Sequence, residues 1–137
     1  MLSSARFSRN RFVGLVGGSL FVLLGAIGFV VTSEVPFVGA DGGVLFTLLE
    51  LNGLQNVVHL VLGVALVAGS FGSLKFTAGW NSVIGAVCFV LGFYGLFAID
   101  SPVDPLSINT WGNALHFGAA AVLLAVGLGA DREIRAG

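Results

Sequence analysis

NGLQNVVHLVLGVAL (Asn52–Leu66) and NTWGNALHFGAAAVL (Asn109–Leu123) decide how this chain is built. Each begins with two asparagines and a histidine and runs on into apolar residues. Asn52, Asn56 and His59 in the first recur as Asn109, Asn113 and His116 in the second, at a constant offset of 57. The spacing i, i+4, i+7 at about 100° per residue brings the three groups within about 60° of one another, so each set reads as one polar stripe on a helix. At 1.5 Å per residue the histidine lies about 10 Å beyond the first asparagine. The helix before each stripe repeats as well: Gly18, Gly25 and Gly28 recur as Gly85, Gly92 and Gly95, at an offset of 67. The two offsets differ because the connection in the first half is ten residues longer.

The composition says what surrounds these units. Of 137 residues, 56% are hydrophobic and 9% charged, against roughly 25% charged in an average soluble domain. Mean hydropathy is +1.01. Too few polar side chains remain to cover a water-facing globule, which excludes a soluble enzyme, a disordered tail and a nucleic-acid-binding module. Four apolar runs are long enough to cross a bilayer, which needs roughly 20 residues of helix: about 12–31, 48–68, 77–99 and 108–130. The expected fold is all-α, an integral membrane four-helix bundle. It comprises a single domain over residues 1–137, assembled from two parallel two-helix repeats related by an axis along the membrane normal. Arg6, Arg9 and Arg11 precede the first run like the start of a signal peptide, but the run is longer than the 7–15 apolar residues of that signal. It is read as a retained span.

Charge orients the bundle. Arg6, Arg9, Arg11, Lys75, Arg132 and Arg135 all fall on the side of the termini and the middle connection. Glu34, Asp41, Glu50, Asp100 and Asp104 fall on the other, with no Lys or Arg. The positive-inside rule then places both termini in the cytoplasm of a bacterial plasma membrane. Trp80 and Trp111 stand near the starts of the third and fourth spans, where amphipathic rings favour the headgroup zone. The glycine rows read as grooves for close helix packing within the bundle, with Gly14-x-x-x-Gly18 only weakly suggesting a dimer. Cys88 reads as a small buried hydrophobe, and Ser101 and Ser107 as helix caps.

The candidate site is the set Asn52, Asn56, His59, Asn109, Asn113 and His116. Polar groups in a span must face protein or water, so the first reading is an inward network in which the six satisfy one another. Two other readings compete. His59 and His116 could hold a haem as axial ligands, although the acidic side offers no cation for its propionates. They could instead bind a metal ion together with Asp41, Glu50, Asp100 or Asp104. There is no charged residue in mid-span, no phosphate loop and no nucleophile paired with a base. The expectation is therefore a non-enzymatic scaffold or accessory subunit without a cofactor. Its expected partners are membrane lipid and a membrane protein complex or a second copy of itself, not nucleic acid.

The segments LQNVVHLVLGVALV, YGLFAIDSP and INTWGNALHFGAAAVLLAVGL, with GLVGGSLFVLLGAIGFV in the first span, resemble a domain-of-unknown-function family. The resemblance implies a small four-span membrane protein of a kind common in actinobacteria. Members carry His-Asn-x-x-His in the second span and Ala-Asp-Asn-x-x-His in the fourth. Asn56, His59, Asn113 and His116 fit, whereas Gln55 and Gly112 stand where the further His and the Asp would be. The resemblance implies no activity.

Overall fold

The computed structural model describes residues 7–132 and 136. Helix α1 (Arg9–Val31) leads to a short hairpin of strands β1 (Gly43–Leu45) and β2 (Leu49–Leu51), followed by helices α2 (Gly53–Gly69), α3 (Leu74–Ala98) and α4 (Thr110–Gly129). Helices α1, α3 and α4 are long and apolar enough to cross a membrane; α2 is apolar but has 17 residues.

The hairpin departs from the all-α expectation. It pairs antiparallel, with Val44 opposite Glu50 and Leu45 opposite Leu49. The turn places Phe46 and Thr47 at φ of 52° and 60°, a left-handed conformation usually supplied by Asn-Gly or Asp-Gly. The stretch VLFTLLEL carries neither, so it reads as the apolar start of a helix. The second helix accordingly begins at Gly53, five residues later than expected at 48. The fourth begins at Thr110, two residues later than expected at 108.

Helix α1 lies along α2, and α3 along α4. Glycines set the first contact. A Cβ built on Gly18 would stand 2.7 Å from the Gly63 carbonyl oxygen, and one on Gly63 would stand 2.6 Å from that of Gly18. No side chain fits between those backbones. The second pair is set the same way: a Cβ built on Gly127 would stand 2.8 Å from the Ala78 carbonyl oxygen, and one on Gly92 3.0 Å from the Phe117 ring. Gly14 points inward at Ser70 and Asn81. All four helices contribute to one buried cluster: Phe21, Leu62, Leu66, Ile84, Cys88, Ala120 and Leu123.

The two ends of the bundle differ in charge. At one end Arg11 Nη2 donates to the Gly72 carbonyl at 2.9 Å, which brings the start of α1 to the α2–α3 turn. Asp131 Oδ2 accepts from Ser8 Oγ at 2.8 Å and from Asn10 N at 2.9 Å, which joins the end of α4 to the start of α1. Arg9, Arg11, Lys75 and Arg132 all belong to this basic end, whereas Arg6 and Arg135 lie outside the described residues. The α1–α2 and α3–α4 connections, with Glu34, Asp41, Glu50, Asp100 and Asp104, form the acidic end.

Candidate functional site

Asn52 and Asn109 are the N-caps of α2 and α4, not members of a stripe on the helices. Asn52 Oδ1 accepts from Gln55 N, and Asn109 Oδ1 from Gly112 N, each at 2.9 Å. Capping an exposed helix N–H in this way is the ordinary role of asparagine at that position. The other arm of each side chain reaches the opposite half, and that of Asn52 bonds to its own half as well. Asn52 Nδ2 donates to the carbonyls of Gly39 at 2.9 Å and Pro105 at 2.8 Å. Asn109 Nδ2 donates to the Leu48 carbonyl at 2.7 Å. Each cap therefore holds a connection belonging to the other unit.

Residues to which the sequence assigned other roles complete this crown. With its amide oriented to suit its neighbours, Gln55 donates to the carbonyls of Glu50 at 3.1 Å and Leu106 at 2.8 Å. Asp104 is buried and accepts from Tyr94 OH at 2.9 Å, Leu106 N at 3.0 Å and Ile108 N at 2.6 Å. Ser107 is not a helix cap: its hydroxyl donates to the Ala40 carbonyl at 2.9 Å and to Glu50 Oε1 at 3.2 Å. Ser101 is not one either, since its Oγ accepts from Val103 N within a turn at 3.4 Å. Between these loops opens a cleft of about 230 Å³, lined in part by Glu50, Asp100, Asp104, Ser107 and Asn109.

One turn deeper stand Asn56 and Asn113, both buried. Asn56 Nδ2 donates to Thr32 Oγ1 at 3.0 Å. The Asn56 amide fills the space over Gly28, and the Asn113 amide that over Gly95, where a Cβ would collide with it. Glycine in α1 and α3 thus makes room for an amide of the neighbouring helix. Neither Oδ1 has a hydrogen-bond partner.

One turn further in, His59 and His116 meet. Both are 0% exposed, their ring centroids lie 5.5 Å apart, and the planes are tilted by 51°. The Phe21 ring also lies beside His59, with centroids 5.6 Å apart. None of the four ring nitrogens has a hydrogen-bond partner. The expectation of one network joining all six residues fails here. Asn52 and Asn109 bond to loops, Asn56 bonds to Thr32, and the histidines touch only as rings. Among the described residues no three of His, Cys, Asp and Glu gather to hold a metal ion. The carboxylates offered as co-ligands stay at the acidic end, apart from the imidazoles.

The basic end has its own polar knot, also absent from the sequence reading. Asn81 Nδ2 donates to the Asn10 carbonyl at 2.9 Å inside the bundle. Burial pulls the Asp131 carboxyl upward, but bonds from Asn10, Ser8 and Arg9 outweigh it and hold the group below its ordinary value. Asn10 and Asn81 were visible as uncharged polar residues at the margins of apolar runs, but no repeat marked them.

Residues 11–129 match the family described as a domain of unknown function, DUF4383. The chain belongs to that family. The DUF4383 match ends on the last residue of α4 and takes in the hairpin, both caps and the histidine pair. No curated protein and no solved structure matches the chain.

Proposed function

We propose that this DUF4383 chain is a multi-pass protein of a bacterial plasma membrane that serves as a non-enzymatic scaffold or accessory subunit of a larger membrane assembly. Both termini face the cytoplasm and the acidic crown faces out. The membrane reading is supported by where polar and apolar groups lie. Leu20, Val61, Val90 and Leu128, on α1, α2, α3 and α4, are each more than 60% exposed, while Asn56, His59, Asn81 and His116 are inside. A water-soluble bundle shows the opposite arrangement. Helix α2 spans about 26 Å, short of a hydrocarbon core of about 30 Å. The hairpin at its start then meets the headgroup boundary, where water can take the backbone groups on its outer edges. The matching glycine–amide contacts, Gly28 with Asn56 and Gly95 with Asn113, support two repeats crossing in the same direction.

The accessory role is carried by one observation, an apolar groove of about 330 Å³ between α1 and α4. Phe12, Val16 and Leu20 line one wall, and Leu115 and Val122 the other. Gly17 and Gly118 lie in it, and a Cβ on either would meet nothing within 4 Å. Small residues along a groove let another helix approach closely in lipid, where packing and not water exclusion drives association. The occupant we propose is a transmembrane helix of a partner protein.

The double variant Gly17→Leu/Gly118→Leu fills the groove from positions where a Cβ meets nothing within 4 Å. Purified in mild detergent, the wild-type chain should bring down a stoichiometric membrane partner. The variant should lose that partner while melting at the same temperature. An unchanged partner set, or a wild-type chain that purifies alone, would contradict the reading.

A further inference from the structure

We propose that His59 and His116 form a two-coordinate site for one soft monovalent cation of the Cu(I) or Ag(I) class, reached from the acidic cleft. The proposal does not depend on the accessory role.

Four unpartnered imidazole nitrogens at 0% exposure are an expense without a structural return. A buried polar group left unpaired destabilises the fold, and phenylalanine would fill the same space without that cost. The arrangement makes sense if the lone pairs have a use. Imidazole is a ligand for copper and its neighbours. Two metal–imidazole bonds of about 2.0 Å in line, the geometry that two-coordinate d¹⁰ ions take, would set the ring centroids about 6 Å apart. The observed 5.5 Å falls short of that span by less than about 1 Å, so the rings part slightly as the ion enters.

Charge and coordination number narrow the choice of ion. No carboxylate stands beside the rings to offset charge, and the cost of burying an ion rises with the square of its charge. A single positive charge is the smallest load. With no third ligand gathered among the described residues, the site favours d¹⁰ ions that accept two ligands. A haem would need a slot as wide as its macrocycle. Leu62 and Leu66 follow His59 in the buried cluster, and Ala120 and Leu123 follow His116, so that layer is filled.

A second observation points to a cation. The acidic cleft opens at the same end of α4, and His116 lies seven residues, about 10 Å, below Asn109 in its lining. Carboxylates around a concave mouth raise the local concentration of cations. All described basic residues lie at the other end of the bundle.

The test uses the full-length chain in detergent. It is loaded with Ag(I) in chloride-free buffer, or with Cu(I) under a reductant against a chromogenic chelator, and metal is counted after gel filtration. The wild type should retain about one ion per chain. His59→Phe and His116→Phe should retain at least tenfold less, and Cys88→Ala should retain the same as wild type. Retention that survives both histidine changes, or that vanishes with Cys88→Ala, overturns the proposal, as does a wild type that retains none. If a histidine variant fails to fold, imidazole ¹⁵N shifts of the wild type decide. Both rings should move on addition of Ag(I), and unmoved rings overturn the proposal.

Discussion

The crown at the acidic end and the histidine pair two turns below it are built from the same repeated residues, yet they treat polar groups in opposite ways. In the crown Asn52, Gln55 and Ser107 each bond to a loop on the other half, and Asp104 fastens the α3–α4 connection within its own. At the pair, two imidazoles meet and bond to nothing. The crown therefore holds the bundle together, whereas the pair costs stability. Polar residues in a membrane helix do not all have one job. The presence or absence of partners separates a clasp from a site.

Substitutions can break that comparison. The largest loss should follow Asn52→Ala, which removes a cap worth about 1 kcal/mol and strands two carbonyls. We expect about 2–4 kcal/mol of destabilisation in detergent melts. Asn109→Ala removes a cap and a single loop bond from a half-exposed residue, and should cost about half as much. His59→Phe and His116→Phe should have the smallest effect and the opposite sign, a gain of up to about 1 kcal/mol each, since they remove unpaired polar atoms. A loss of 2 kcal/mol or more from either histidine change would make the pair a clasp too. A double change that adds without coupling would sharpen the picture of rings in contact but not bonded.

Much of this was legible from the residues. The recurring asparagines, histidines and glycines marked which helix positions face inward, and His59 does meet His116. The charge pattern marked which connections share an end. Four features were not legible, each for a local reason. The turn at Phe46–Thr47 adopts left-handed backbone without glycine or asparagine, so nothing in VLFTLLEL announced a hairpin. The first asparagine of each repeat caps its helix, because the helix begins one residue later. Helical spacing cannot separate a cap from a stripe when the cap is only one turn from the next polar residue. The crown's partners are mainly carbonyls of Gly39, Leu48 and Pro105, and backbone acceptors leave no trace in side-chain chemistry. The knot of Asn10, Asn81 and Asp131 joins residues 71 and 121 positions apart, with no motif at any of them.

The central claim is that a membrane separates the acidic crown from the basic end. Val103, 84% exposed in the α3–α4 connection, and Lys75, exposed at the start of α3, mark the two ends. In a Cys88→Ala background, cysteine placed at either position is offered an impermeant maleimide on intact cells. Val103→Cys should label on intact cells, and Lys75→Cys only after lysis. The reverse pattern, or equal labelling of both on intact cells, would contradict the account.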